Sequence, residues 1–258
     1  MIEIGINPVL QLGTLEVRWI TLIFILSLII VMVMSVLESK RAGTTIVWNR
    51  IVGLGLSFVV GALIGGRIFY VLDNLKDFSG HPERIFGLTG ILMYGVVIGA
   101  LMAVLIYTRF RKLSFWEIGD FIAPGAMLGL TLYRVGCIIN GCCYGLPTGL
   151  PWAIVYTNPN SVAPLYTLLH PTQIYHLVLG LIAFAVLWLL RGKLKPPGSL
   201  FLLWLALFAV TDLPVRLFRD GHTFLFGLQQ AQLLGILTLL VTVPWLIIRM
   251  RSVRVAAR

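Results

Sequence analysis

YRVGCIINGCCYG, residues 133–145, closes an apolar run and carries an arginine, an asparagine and every cysteine of the chain: Arg134, Asn140, Cys137, Cys142 and Cys143. Whether that run crosses a lipid bilayer decides the fold. An arginine at the centre of a transmembrane helix costs at least about 2.5 kcal/mol, so a basic, thiol-bearing cluster at such a depth calls for a function or a partner. Composition settles the environment. Of 258 residues, 59% are hydrophobic and 12% charged, against about 25% charged in a soluble domain, and the mean hydropathy is +0.95. The chain reads as an all-α polytopic membrane protein.

A helix needs about 20 apolar residues to cross the roughly 30 Å hydrocarbon core. Seven such segments are expected, at 17–37, 50–72, 86–108, 118–139, 171–190, 199–218 and 228–248. They leave no room for a sizeable soluble domain, so residues 1–258 are read as a single transmembrane domain. No internal repeat or low-complexity stretch is visible. The residues ahead of Arg18 include Glu3 and Glu16 but no lysine or arginine, unlike the basic start of a secretory signal peptide. The first span is therefore expected to be retained.

The net charge of +10 suggests a nucleic-acid binder until the charges are placed. Lys40, Arg41, Arg50, Arg109, Arg111, Lys112, Arg191, Lys193, Lys195, Arg249, Arg251, Arg254 and Arg258 fall in the odd-numbered loops and the C-terminal tail; the even-numbered loops hold only Lys76, Arg84 and Arg219. The positive-inside rule then puts the odd loops and C-terminus in the cytoplasm and the N-terminus outside. The basic excess is a topology signal that also suits anionic lipid head groups. No nucleic-acid partner is expected.

In that topology the loop 140–170 faces outward. It contains no Lys, Arg, Asp or Glu and is rich in Gly, Pro, Thr and Asn, so turns and short irregular pieces are expected, with a small strand in WAIVY, 152–156. Functional residues concentrate on such loops when rigid helices hold them. The pairs Gly61 and Gly65, Gly95 and Gly99, and Gly125 and Gly129 permit close helix crossings and are read as packing.

The charges within the segments carry the chemistry. Arg67 lies near the outer end of the second segment and Arg134 near that of the fourth. Asp212 and Arg216 lie in the outer half of the sixth, followed by Arg219. Asp212 and Arg216 are four apart and share a helix face. Four arginines thus approach one side of the bundle with one aspartate between them. Snorkelling of single arginines to the head groups is one reading. Binding of an anionic head group is the other, because guanidinium forks hold phosphate bidentately. Asp120, near the opposite end of the fourth segment, reads as a structural or capping residue.

A second cluster is LLHPTQIYH, 168–176, in which His170, Gln173, Tyr175 and His176 put polar groups at the outer interface. His170 is a candidate general base or phosphate donor. Tyr94, in LMYGVVIG at 92–99, is either packing or a hydrogen-bonding group. The cysteines form C-x4-C-C. Two ligand pairs with short spacing would indicate zinc; here a vicinal pair stands without a second cluster, and no metal site is expected. A disulfide on the oxidising side would leave one thiol unpaired. Inert interfacial thiols and a catalytic thiol are the remaining readings.

These residues resemble the bacterial prolipoprotein diacylglyceryl transferases. The family's fourth-helix signature, approximately G-R-x-G-N-F-x-N-x-E-x-x-G, is matched by Arg134, Gly136, Asn140 and Gly145. HPTQIY at 170–175 resembles its HPSQLYE; NPVLQLGTLEVRWITL at 7–22, GGRIFYVL at 65–72 and FWEIGDFIAP at 115–124 resemble other family segments, in the same order. The resemblance implies a seven-span enzyme at the outer face of the cytoplasmic membrane, which moves the diacylglyceryl group of phosphatidylglycerol to the lipobox cysteine thiol of prolipoproteins and releases glycerol phosphate. It implies no metal or organic cofactor. By this likeness Arg134 holds the lipid phosphate with Asn140 positioning it, Arg67, Arg216 and Arg219 add positive charge, and His170 is the candidate base for the thiol proton, with Tyr94 as the alternative hydrogen-bonding group. Gln173, Tyr175, Asp212, Cys137 and Cys142 line the cavity.

The chain departs from the family pattern at several of those places. The family's His-Gly-Gly on the third helix is Tyr94-Gly95-Val96 here. Cys137 and Cys142 stand where the signature has Asn and Glu, His176 stands for the final Glu of HPSQLYE, and Asp212 and Arg216 appear in swapped order. Ile20 stands where a tyrosine is common. Such a set fits a diverged branch with another acceptor or lipid, and equally an orthodox activity run by rearranged residues. A non-catalytic lipid binder or a transporter is the competing class; transport is disfavoured by the lack of a repeat and by charges gathered toward one face. A retinal protein would need a Schiff-base lysine in 228–248, which has none.

Overall fold

The structure is a computed structural model that describes residues 1–13, 15–44, 48–74, 93–219, 223–225 and 227–256. Among them run seven α-helices: α1 (Trp19–Arg41), α2 (Trp48–Asp73), α3 (Met93–Phe110), α4 (Phe115–Asn140), α5 (Thr172–Leu190), α6 (Ser199–Arg216) and α7 (Gln230–Ala256). All but α3 are long and apolar enough to cross a membrane; α3 is apolar over Ile98–Phe110. The expected third segment starts at 86, and residues 86–92 lie outside the described residues, as do Lys76 and Arg84. The mean hydropathy of α1 reaches 3.0, yet only 17% of that stretch is buried. A helix that apolar and that uncovered belongs in lipid, where its backbone groups are satisfied internally.

The chain folds as two compact units, residues Ser39–Ile118 and the remainder, Met1–Glu38 with Gly119–Arg258. In the first, α2 and α3 cross through Gly61, Gly65, Gly95 and Gly99. A Cβ on Gly99 would stand 2.7 Å from the Gly65 Cα, so the two backbones touch only because neither carries a side chain.

In the second unit α4 is the axis. Its Gly125, Gly129 and Gly136 lie against α1: a Cβ at 129 would stand 2.7 Å from Val31 Cγ2, and one at 136 would stand 3.2 Å from the Ile20 Cα. Thr131 packs on Gly180 of α5, and Gly119 on Phe201 of α6. Asp120 fulfils the capping role. Gly198 N–H donates to its Oδ2 at 2.6 Å and Phe201 N–H donates to its Oδ1 at 2.8 Å, which satisfies orphan donors of the first turn of α6. At the same end Arg191 pairs with Glu38 at 3.1 Å.

The helical class acquires an addition: among the described residues, six short strands in three pairs. β1 (Ile2–Ile4) runs parallel to β4 (Ile154–Tyr156); β2 (Val9–Leu12) and β3 (Leu15–Arg18) form a hairpin, as do β5 (Thr223–Leu225) and β6 (Leu228–Gln229). The strand read from WAIVY is β4. Its side chains are all buried. Ile154 and Tyr156 join Ile4, Ala163 and Leu169 in an apolar cluster, packed with Ile138, Tyr144, Leu165 and Ile174. The loop 140–170 is therefore a small packed cap on the ends of α4 and α5, with its own core, where the sequence suggested turns and irregular pieces.

Candidate active site

The site begins where α4 stops. After Asn140 the chain turns at Gly141, with φ of 73°, and folds back so that Cys142 N–H donates to Cys137 O at 3.2 Å. Any side chain at 141 would strike Ser161 Oγ. The reversal brings all three cysteines together, their sulfur atoms within 4.8 Å of one another. All are free thiols, Cys137 buried and the other two half-buried.

Cys143 adopts a φ of 61°, a left-handed conformation uncommon outside glycine. The first turn of α5 holds it there. Thr172 Oγ1 donates to Cys143 O at 2.6 Å, and Gln173 Nε2 donates to Cys142 O at 2.8 Å and to Tyr156 Oη at 3.2 Å. Thr172 and Gln173 are fully buried. Tyr156 Oη–H donates to Ile138 O at 3.1 Å; burial pushes its phenol up, so it remains a donor. Hydrogen bonds with the Cys137 and Cys142 thiols hold the Cys143 thiol below its usual range, and Arg219 and Arg134 act in the same direction.

Asn140 is buried, and Arg18 Nη1 donates to its Oδ1 at 2.9 Å. Its amide also meets the Cys142 thiol. Arg134, half-buried two turns earlier, has no hydrogen-bond or ion-pair partner among the described residues. It acts electrostatically on Cys143 together with Arg219, and on His176 together with Arg216 and Arg219. The guanidiniums of Arg134, Arg216 and Arg219 thus surround one region. The carboxylate beside them is Asp212, whose Oδ2 accepts from Arg216 Nε at 2.9 Å. One carboxylate against three guanidiniums leaves net positive charge in a poorly hydrated setting, where an anion is bound strongly.

Asp212 also explains a departure from the family pattern. Its Oδ1 lies 3.6 Å from His176 Nε2, beyond hydrogen-bond reach, and both atoms are buried without another partner. With an aspartate at 212, a glutamate at 176 would face a second carboxylate; a histidine does not. His170 sits on the rim. Its Nδ1 is 3.3 Å from Tyr175 Oη, which accepts from Trp152 Nε1 at 3.0 Å, and its ring lies 5.0 Å from that of Phe218. Gly145 N–H donates to His170 O and Leu146 N–H to Phe218 O, which ties the loop to α5 and to the end of α6.

Of the residues expected at the site, the second unit brings together Arg134, Cys137, Asn140, Cys142, His170, Gln173, Tyr175, Asp212, Arg216 and Arg219. Arg67 and Tyr94 belong to the other unit. Arg67 lies on α2 with its guanidinium 5.5 Å over the Tyr70 ring; Tyr94 lies in the first turn of α3, and its side chain is outside the described residues. Sequence reading left Arg18 and Thr172 out of the site and named His176 only as a polar group at the outer interface. The signal for His176 was present, since its exchange for glutamate accompanies the swap of Asp212 and Arg216. Arg18 gave no signal, because an arginine at the start of a span reads as an interfacial anchor.

Helices of membrane-spanning length and composition, with arginines, histidines and polar amides gathered in one unit, are the make-up of an integral-membrane enzyme. Residues 7–248 match the family model described as Prolipoprotein diacylglyceryl transferase, and the chain belongs to that family. It is similar to proteins named phosphatidylglycerol--prolipoprotein diacylglyceryl transferase from Dehalococcoides mccartyi (32% identity over 98% of this chain and 97% of the relative), Trichormus variabilis (31%; 95% and 91%) and Bordetella avium (34%; 85% and 84%). The family indicated by Arg134, Gly136, Asn140, Gly145 and HPTQIY is the one found, and the chain is a transferase.

Proposed function

We propose that this protein transfers the diacylglyceryl group of phosphatidylglycerol to the lipobox cysteine thiol of prolipoproteins. The observation that carries the proposal is the cluster of Arg134, Arg216 and Arg219 around a single carboxylate, with Arg134 left without a partner among the described residues. Arg134 takes the lipid phosphate; Asn140, fixed by Arg18, positions it. The same guanidiniums stabilise negative charge on the departing glycerol phosphate, and stabilisation aimed at developing charge is commonly the largest single contribution to a rate.

The acceptor thiol must lose a proton, and His170 is assigned as the base. In the tautomer that donates Nδ1–H to Tyr175 Oη, 3.3 Å away, the free Nε2 is the basic nitrogen that takes the proton. Gln173 and Tyr175 hold the cavity wall, and Cys137 and Cys142 line it.

The site is placed at the outer face of the cytoplasmic membrane. Seven spans, with the N-terminus outside and the C-terminus in the cytoplasm, account for the one-sided distribution of basic residues. The experiment is transfer in liposomes. A lipobox peptide should gain a diacylglyceryl mass with phosphatidylglycerol and none with phosphatidylcholine alone. Lipid binding without peptide modification would instead favour a relative with another acceptor, the reading suggested by the changes at Tyr94, Cys137, Cys142 and His176.

A further inference from the structure

The three thiols at the end of α4 are unused in that chemistry, yet the turn at Gly141 gathers them at one point of the cap. Their sulfurs lie within 4.8 Å of one another. Zinc binds thiolate at about 2.3 Å in a tetrahedral site, which sets its sulfur ligands about 3.8 Å apart. Closing the triad on one ion therefore needs shifts of about 1 Å, within the reach of small side-chain rotations.

The backbone is already arranged for it. Gly141 reverses the chain, Gln173 holds the Cys142 carbonyl, and Thr172 holds Cys143 in a left-handed conformation. A non-glycine residue fixed in such a conformation by its surroundings is a recurrent mark of ligand sites.

We infer that Cys137, Cys142 and Cys143 bind one thiophilic d10 ion of the zinc class and leave its fourth position open for the thiol of the acceptor. The second half of this inference rests on the transferase reading; the ion site does not. The sequence argued against zinc for want of a second ligand pair, but three protein ligands with an open position is the pattern of a catalytic zinc. Soft sulfur ligands select such ions over magnesium or calcium.

The chemistry suits the reaction. A thiol coordinated to the ion is deprotonated, and the thiolate is the nucleophilic form. The acceptor's S–H proton passes to His170. The sulfur electron pair forms a C–S bond to the diacylglyceryl carbon while the bond from that carbon to the phosphate oxygen breaks. The bonding pair leaves on that oxygen with glycerol phosphate, nothing is oxidised or reduced, and the ion is unchanged. The cysteines at 137 and 142, which replace Asn and Glu of the family pattern, acquire a use.

Cobalt(II) is the probe. The reduced full-length protein should take up one cobalt per chain with a near-ultraviolet thiolate-to-cobalt absorption band. The band should disappear in Cys142→Ser and in Cys137→Ser/Cys142→Ser/Cys143→Ser, and a lipobox peptide should shift it while the same peptide with serine for cysteine does not. An equal band in the triple variant, no band in the folded reduced protein, or a disulfide that resists reduction and excludes cobalt overturns the ion site. A band insensitive to the cysteine peptide, or transfer undiminished in the triple variant, overturns the open position. Loss of transfer to every peptide with the cobalt band intact would refute the transferase reading and leave the ion site standing.

Discussion

His176→Glu restores the residue that the family pattern carries at the end of its HPSQLYE motif, and the geometry predicts that it harms this protein. His176 Nε2 lies 3.6 Å from Asp212 Oδ1, with both side chains nine-tenths or more buried. A glutamate carboxylate at that separation repels Asp212 by about 4.6 kcal/mol at an effective dielectric constant of about 20. Holding the new glutamate protonated at pH 7 instead costs about 3.7 kcal/mol from a reference pKa of about 4.3. The smaller figure sets the ceiling, and the neighbouring arginines lower it, so the expected loss at pH 7 is about 2–3.5 kcal/mol. Because the loss comes from charge, it is largest at pH 8 and shrinks as the pH falls toward 5, where protonation of a glutamate costs about 1 kcal/mol. His176→Gln, without the charge, should lie within about 1.5 kcal/mol of the parent. Adding Asp212→Asn to His176→Glu should recover most of the loss. The assay is thermal unfolding of detergent-solubilised protein across that pH range, each variant read against the parent at the same pH. A His176→Glu protein as stable as the parent at pH 8, or one that Asp212→Asn fails to rescue, would refute the facing arrangement of these two side chains.

Three further outcomes follow from the same structure. Arg18→Gln removes the donor that fixes Asn140 Oδ1; a hydrogen bond to a charged group contributes about 1.5–3 kcal/mol, so transfer should fall by roughly ten- to a hundredfold in a peptide-modification assay. Gly129→Val drives a Cβ to 2.7 Å from Val31 Cγ2 and should destabilise the α1–α4 crossing by about 1–3 kcal/mol, read as a lower unfolding temperature. Asp120→Ala uncaps two N–H groups at the start of α6 and should cost about 1–2 kcal/mol, with the first-turn amides of α6 exchanging hydrogen faster.

The helices were legible because lipid imposes a length. An uninterrupted apolar run such as Trp19–Arg41 has few other uses, and its pattern does not depend on partners. Asp212 and Arg216 were legible as a pair because helical spacing alone puts residues four apart on one face. The cap was less so. β4 owes its place to parallel pairing with β1, in which Ile2 matches Ile154 across about 150 positions, and no local pattern encodes such a partner. The meeting of the three thiols depends on one left-handed turn at Gly141 and on Thr172 and Gln173 reaching back from α5. C-x4-C-C shows spacing but not that reversal. Arg18 escaped notice for a similar reason, since its partner Asn140 lies 122 residues away. The helix α7 continues to Ala256, beyond the expected membrane span 228–248, because arginines at a span's end do not interrupt a helix.

The central claim is that Arg134 holds the phosphate of the lipid donor. Its most direct measurement is mass-spectrometric transfer to a lipobox peptide in phosphatidylglycerol liposomes, comparing the parent with Arg134→Ala and Arg134→Lys. The account predicts a diacylglyceryl mass on the peptide with the parent, loss of at least about a hundredfold with Arg134→Ala, and partial activity with Arg134→Lys, which keeps the charge but loses the fork. Undiminished transfer by a folded Arg134→Ala protein would contradict it.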